Sequence, residues 1–395
     1  MGISHLKFTG LAEHIGNLLI SSPATGSSPS LLGRSLCLME ARAFKSYLSF
    51  ERRRAERSRR AFVLMLLDVS KLLSNGSGER SLGQIAAALA SCTRETDLIG
   101  WYESRATLGI IFTEIGPASI SYALEPLRTK IVKALQNELG PEQAKHVAIS
   151  VHLFPRPMDD GDSGSLVDWK LYPDMELRDN RNRTALAIKR MLDFVASGLF
   201  LIVFSPLFAV IALAIKLFSK GPVLFKQERL GQLGSRFQVL KFRTMYVNND
   251  PRIHKEYAER LISGKDDPNQ RINGNKAIYK LTNDPRVTAV GRWLRKTSLD
   301  ELPQFWNVLR GDMSLVGPRP PVLYEFEKYD FWHRRRVVEV KPGITGLWQI
   351  SGRSTTKFDD MVRLDLQYYR SWSIWLDIKI LLRTPFAVIF GDGAY

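Results

Sequence analysis

The chain has 395 residues, 45% of them hydrophobic and 24% charged, which excludes a disordered or fibrous protein and allows two or three domains with sizeable cores. An excess of 56 Lys and Arg over 40 Asp and Glu gives a net charge of +16, so acidic partners are expected: nucleic acid, an anionic membrane surface or a phosphorylated substrate. Two cysteines, Cys37 and Cys92, and six scattered histidines support neither a disulfide framework nor a zinc site and read as cytosolic thiols.

The start, through Ile20, lacks a basic segment leading into a long apolar core and a small-residue cleavage site, so no secretory signal is expected. Residues 1–60 read as a flexible tail, rich in Ser, Pro and Gly over 21–33, followed by a basic helix from about Leu36. That helix ends in the charge run Glu51-Arg52-Arg53-Arg54-Ala55-Glu56-Arg57-Ser58-Arg59-Arg60, either a solvated face or a site for anionic lipid.

A first domain is expected over residues 61–155. It comprises a strand at Phe62–Val69, a helix at Leu82–Cys92, strands at Asp97–Tyr102 and Leu108–Glu114, a helix at Ile120–Leu139 and a strand at Val147–Phe154. This β-α-β-β-α-β order matches a ferredoxin-like α/β layout. Thr93-Arg94-Glu95-Thr96-Asp97-Leu98-Ile99-Gly100-Trp101-Tyr102, followed by an apolar strand, resembles the middle of a diguanylate cyclase (GGDEF) domain. The signature itself is degenerate, because Glu103-Ser104-Arg105-Ala106-Thr107 stands where the two glycines and the acidic residues belong. Asp68 matches that family's other metal ligand, but one carboxylate cannot hold two magnesium ions and a triphosphate. A non-catalytic regulatory or assembly module is therefore expected.

Residues 156–184, with Asp159, Asp160 and Asp162, read as an acidic linker at a domain boundary. Phe194 to Ile215 then runs without a charge, and as one helix of 22 residues it would reach roughly 33 Å, near the hydrocarbon thickness of a bilayer. Ser205-Pro206 falls near its middle. Proline lacks an N–H and clashes with the carbonyl four residues back, so a helix break is expected there, with Ser205 a candidate partner for the freed carbonyl. The halves are then about 18 Å and 14 Å long, too short to cross singly. Lys189 and Arg190 before the run and Lys216 and Lys220 after it put positive charge at both ends, which agrees with a re-entrant hairpin over about 187–218 whose ends are both cytosolic. The competing reading is a kinked transmembrane helix.

Further on comes Lys296-Thr297-Ser298-Leu299-Asp300-Glu301-Leu302-Pro303-Gln304, then an apolar run that reads as a short helix ending at Gly311. Two adjacent carboxylates lie between Arg292, Arg295 and Lys296 on one side and Arg310 and Arg319 on the other. Ser298-x-x-Glu301 has the form of a capping box, and Asp300 can itself serve as an N-cap. A helix N-terminus also gathers anions, so capping and phosphate chemistry are compatible. Arg319 sits in a Gly-Pro-Arg-Pro turn whose two prolines hold it stiffly. Phe331-Trp332-His333-Arg334-Arg335-Arg336, Trp372, Trp375 and the apolar end Ile378–Phe390 read either as interfacial material or as core packing with a solvated charge cluster. No nucleic-acid-binding motif is present, so nucleic acid is dropped as a partner.

The central stretch stands with five other segments: Lys189–Asp193, Gly221–Gly231, Lys241-Phe242-Arg243-Thr244-Met245, Leu281–Thr288 and Lys341–Arg353. In this order, over roughly residues 185 to 395, they resemble the bacterial sugar transferase family, monotopic phosphoglycosyl transferases that move a hexose-1-phosphate from a UDP-sugar to polyprenol phosphate. The resemblance implies a membrane-embedded catalytic α/β domain of short helices and a small sheet on the cytoplasmic face of the bacterial inner membrane. It implies Asp300 as nucleophile, Glu301 as metal organiser or proton carrier, and Mg²⁺ held by Asp300 and Glu301. Arg295 and Arg319 are the expected phosphate clamps, since a guanidinium fork holds two phosphate oxygens; Lys241 and Arg243 are weaker candidates because a basic pair in a strand can simply face solvent. Gly343 and Gly346 allow close backbone approach to a ligand. The partners implied are a UDP-sugar (glucose, galactose or N-acetylated hexose), polyprenol (undecaprenyl) phosphate, inner-membrane lipid, downstream glycosyltransferases and a second copy in a homodimer. A membrane-tethered scaffold without catalysis and a UDP-releasing glycosyltransferase are the alternatives.

Overall fold

The computed structural model describes residues 38–74, 78–115, 120–155, 167–176, 183–247, 252–263, 286–351 and 356–390. The expected tail, Cys37, the acidic residues Asp159, Asp160 and Asp162, and Leu281–Pro285 lie outside the described residues.

Helix α1 (Ala41–Ser58) precedes β1 (Ala61–Asp68), α2 (Gly78–Cys92), β2 (Leu98–Glu103), β3 (Thr107–Ile115), α3 (Ile120–Leu139) and β4 (Ala148–Phe154). Strand β1, AFVLMLLD, is buried at every position but its last, as an apolar run covered on both faces should be. It lies in the middle of an antiparallel sheet of order β2-β3-β1-β4, the ferredoxin-like arrangement. Alternate residues Phe62, Leu64 and Leu66 pack with Phe44, Leu48 and Ala55 of α1. Gly100 and Gly109 are register partners; a Cβ on them would lie 2.8 Å and 2.5 Å from the Phe44 ring. That bare patch of sheet is what lets Phe44 become fully buried, worth about 2 kcal/mol of transfer free energy. Asp68 is committed locally, its Oδ1 accepting from the Ser70 N–H at 3.0 Å and from Ser70 Oγ at 2.6 Å.

The charge run of α1 is neither wholly solvated nor free for lipid. Helical spacing puts Phe44, Leu48, Arg52 and Ala55 on one side, and Arg52 is 0% exposed. Its guanidinium forks onto Asp174 with both N···O distances at 2.9 Å and stacks on Tyr172. Arg53 and Arg54 stay at the surface. The segment supplying Asp174 was expected to be linker; instead Val167, Leu171, Tyr172 and Met175 are buried in the same core as α1.

In the second half, α4 (Arg183–Val203) and α5 (Ser205–Phe218) meet at a 60° bend. Among the described residues no single helix is long and apolar enough to cross a membrane, whereas this bent pair passes by length and composition together. The break falls where proline requires it. Ile202, four residues before Pro206, has its carbonyl capped by Ser205 Oγ at 2.8 Å. Leu199, Ile202, Val210, Leu213, Leu217 and Phe218 are 61% to 73% exposed.

The start of α4 is bolted to protein. Lys189 Nζ lies 2.6 Å from Asp377 Oδ2, Arg190 donates to the carbonyls of Val308 and Leu309 at 2.6 and 2.8 Å, and Asp193 accepts from the Leu315 N–H at 3.0 Å. Lys189 and Arg190 thus tie the start of α4 to the rest of the protein as well as flanking the apolar run.

The rest includes the hairpin β5 (Leu224–Leu230) and β6 (Arg236–Phe242), α6 (Ala289–Thr297), α7 (Gln304–Arg310), β7 (Ser314–Val316), α8 (Phe331–Val338), β8 (Gly343–Thr345), α9 (Phe358–Ser371) and α10 (Ile374–Phe390). Strands β7 and β8 pair in parallel. A Cβ on Gly343 would sit 2.0 Å from the Gly317 nitrogen, and one on Gly346 2.6 Å from the Gly317 carbonyl. The close approach these glycines permit is of chain to chain, and Gly343 also lines the cleft that holds Lys241, Glu301 and Arg319.

Helix α8 joins the two halves. Val338 lies in the core of the first half and Phe331 packs on Phe154, while Arg336 pairs with Asp365 at 2.8 Å and His333 is buried. Of the two readings of the aromatic and cationic segment, core packing is the one the fold adopts. Trp375, Leu382 and Phe386 of α10 do remain largely exposed.

Candidate active site

Three short helical pieces put the carboxylate pair on a corner. Helix α6 starts at Thr288, whose Oγ1 accepts from the Gly291 N–H at 2.9 Å. It ends at Ser298, a left-handed residue (φ 58) whose N–H caps Arg295 and Leu294 carbonyls. One 3-10 turn over Leu299–Glu301 follows, then α7, closed by Gly311 at φ 95. The capping box suggested by Ser298 and Glu301 does not form: Ser298 makes no side-chain cap bond, and the Glu301 carboxylate turns to the sheet.

There Glu301 Oε1 accepts from Lys241 Nζ at 2.7 Å and from Arg319 Nη1 at 3.3 Å. Asn307 of α7 makes this meeting possible. It is 1% exposed, its Oδ1 accepts from the Leu240 N–H at 3.0 Å and its Nδ2 donates to the Gln238 carbonyl at 2.7 Å, so the helix is stitched to β6 beside Lys241. The resulting cleft is lined by Arg229, Val239, Lys241, Glu301, Gln304 and Arg319, among others.

Electrostatics separate the two acids. Burial alone would raise Glu301, but the Lys241 ammonium and then Arg319 outweigh it and hold the carboxyl far below the usual range. Burial, and next the Glu301 charge, push Asp300 up to about 6 against the pull of Lys241, Arg295 and Arg319. Among the described residues, Asp300 has no side-chain hydrogen bond or ion pair. One carboxylate is held and the other is left available. Burial likewise lowers Lys241, opposed by Glu301.

Of the four cations expected at the site, Lys241 and Arg319 reach Glu301, and Arg295 acts on Asp300 by charge while its Nε donates to Thr244 Oγ1 at 2.9 Å. Arg243 is elsewhere. Its guanidinium donates to the carbonyls of Ser219 and Lys220, both at 2.9 Å, and to Ser219 Oγ at 2.7 Å, finishing the end of α5. Strand alternation would return Arg243 to the face of Lys241, but β6 ends at Phe242, so Arg243 lies beyond the strand and the alternation does not reach it. Sequence reasoning missed Arg229, Gln304 and Asn307. Arg229 was detectable, because the register places Phe225, Gln227 and Arg229 opposite Lys241, Val239 and Phe237, on one face of the hairpin.

A carboxylate pair ringed by partly desolvated cations is an arrangement suited to phosphorylated anions, and here it lies in the same half of the chain as the bent helix pair. The chain belongs to the bacterial sugar transferase family, whose model matches residues 184–391. It is 34% identical over 346 residues to the "Undecaprenyl-phosphate galactose phosphotransferase" of Salmonella typhimurium, covering 82% of this chain and 69% of that protein. It is 50% identical over 175 residues to the "Galactosyl transferase CpsE" of Streptococcus agalactiae, 44% of this chain and 36% of that one. With the "Exopolysaccharide production protein ExoY" of Rhizobium meliloti it shares 43% identity over 216 residues, 52% of this chain and 88% of that one. The chain thus spans well under two thirds of the streptococcal relative's length. Among solved structures, a DGC protein from Thermotoga maritima matches over 31% of this chain at 19% identity and a TM-score of 0.23.

Proposed function

We propose that the chain transfers a hexose-1-phosphate from a UDP-sugar to polyprenol (undecaprenyl) phosphate and releases UMP, an initiating step of bacterial polysaccharide synthesis. The observation that carries this reading is the asymmetry of the acid pair, with Glu301 held by Lys241 and Arg319 and Asp300 left without a bonded partner among the described residues. An Asp300 oxygen attacks the phosphorus that bears the sugar; the bond from that phosphorus to the bridging oxygen breaks, and UMP leaves with the electron pair. An oxygen of polyprenol phosphate then attacks the same phosphorus, and the aspartyl bond breaks to restore the Asp300 carboxylate. A carboxylate attacking an anionic diphosphate needs its repulsion screened, and Arg319, Lys241 and Arg295 supply fixed positive charge for that purpose.

Among the described residues no cluster of three or more acidic, histidine or cysteine side chains forms a protein-only metal cage. Two adjacent carboxylates suit Mg²⁺, which takes one or two carboxylates and completes its shell with water and substrate phosphate. Asp300 and Glu301 would hold it, and it would supply further charge neutralisation at the diphosphate.

The bent pair α4–α5 is read as a re-entrant element that enters the cytoplasmic leaflet and returns, placing both halves of the chain on the cytosolic side. Its 60° bend and its exposed apolar face support that reading. Single cysteines at Lys145 and Lys226, with Cys37 and Cys92 replaced, test it: an impermeant maleimide should label neither in intact cells and both in lysed ones. The first half is read as a non-catalytic module attached through α8.

Incubating the full chain in lipid nanodiscs with polyprenol phosphate, Mg²⁺ and a panel of UDP-sugars tests the chemistry. Release of UMP together with a lipid-linked sugar phosphate is expected. Release of UDP would assign a glycosyltransferase, and no release with any sugar would leave the scaffold reading.

A further inference from the structure

The turn that carries Arg319 is gripped through three consecutive carbonyls. That of Arg319 accepts from Arg336 Nη2 at 3.4 Å, that of Pro320 from Arg229 Nη1 at 2.5 Å, and that of Pro321 from the Leu230 N–H at 2.9 Å. The Pro320 bond is the shortest of them. Prolines have no N–H, so the carbonyl is the only backbone group by which such a residue can be held.

Arg229 is itself held in one orientation. Gln227 Oε1 accepts from its Nε at 3.1 Å and from its Nη2 at 2.8 Å, which leaves the remaining arm of the guanidinium aimed at Pro320. The residue is 6% exposed, and among the described residues it has no ion pair within salt-bridge distance. A buried guanidinium satisfied by neutral oxygens alone is costly. Its rigid fork does what an aliphatic side chain or a lysine cannot: it connects a fixed amide oxygen on the strand to a fixed carbonyl on the turn.

We propose that Arg229, oriented by Gln227, is a positioning residue: by holding the Pro320 carbonyl it keeps the Arg319 guanidinium directed at Glu301 and at the diphosphate of the donor. This rests on the transfer reading above. It also explains why the cleft gathers three cations around one ionised glutamate, with only Lys241 and Arg319 touching it.

The test is a double-mutant cycle on the full chain in nanodiscs, with UDP as the probe and its affinity read by calorimetry. Arg229→Gln should weaken UDP binding about tenfold, and Arg229→Gln combined with Arg319→Gln should bind no more weakly than Arg319→Gln alone, because the first residue acts only through the second. Losses that multiply would overturn the proposal, as would an Arg229→Gln affinity within about twofold of wild type. If Arg229→Gln does not fold, Gln227→Leu takes its place in the cycle; it keeps the charge, frees the guanidinium and is judged by the same two outcomes. UMP release is followed in parallel. A coupled cycle without UMP release by wild type sinks the transfer reading and leaves the positioning role, whereas UMP release with an uncoupled cycle does the reverse. A wild type that does not bind UDP overturns both.

Discussion

Replacing Asp300 by asparagine should make the protein inactive and, at alkaline pH, more stable. Burial and then the Glu301 charge raise this carboxyl from 3.8 to about 6, which by linkage corresponds to about 3 kcal/mol. The sign follows from the direction. In the unfolded chain Asp300 ionises near 3.8, whereas in the fold it resists ionisation until about 6. The stabilisation of the protonated form is therefore complete below the unfolded value and lost as pH rises through about 6. At pH 8 the native state carries an ionised carboxylate it disfavours, and asparagine removes that charge while keeping the shape. Allowing for imperfect replacement of a carboxyl by an amide, a gain of about 1–3 kcal/mol is expected, a rise in Tm of roughly 2–6 °C. Near pH 4, where Asp300 is protonated in the fold and only about half ionised in the unfolded chain, the difference should shrink to under about 1 kcal/mol. Melting curves of both proteins in nanodiscs at the two pH values, with chelator present, measure this, and UMP release should fall to background. An Asp300→Asn protein no more stable than wild type at pH 8 would refute the electrostatic reasoning. Retention of about a tenth of the activity would refute the nucleophile assignment.

Lys241→Met should remove the shortest bond to Glu301 and strand a partly buried carboxylate with Arg319 alone, at a cost of about 2–3 kcal/mol in urea melts; a solvent-facing lysine would cost under about 0.5 kcal/mol. Arg52→Met should cost about 3–5 kcal/mol, because it leaves Asp174 without its forked partner in a part-buried site, and thermal melting measures it. Ser205→Ala should leave the Ile202 carbonyl without its cap; in nanodiscs a loss of about 1 kcal/mol is expected, and no change would mean the carbonyl finds another donor. The full chain incubated with GTP and Mg²⁺ should form no cyclic dinucleotide by chromatography, since Asp68 is committed to Ser70 and Glu103–Thr107 lacks the acidic signature.

Local periodicity determined a great deal by itself. The continuous apolar run of β1, the alternating order of strands and helices before it closes, the proline break at Ser205-Pro206 and the Gly311 stop are each set by residues within a few positions of one another. The acid pair at Asp300 and Glu301, with the segments that carry the family resemblance, was legible for the same reason. Only the tertiary structure decided which charges meet. Lys241 reaches Glu301 across 60 positions, Arg52 reaches Asp174 across 122, and Arg190 reaches Val308 across 118. A basic run in sequence carries no record of those partners: Arg52 went inside while Arg53 stayed out, and Lys241 entered the cleft while Arg243 capped α5. A charge is stable in a fold only where a distant group satisfies it, and the position of that group is a property of the packed chain.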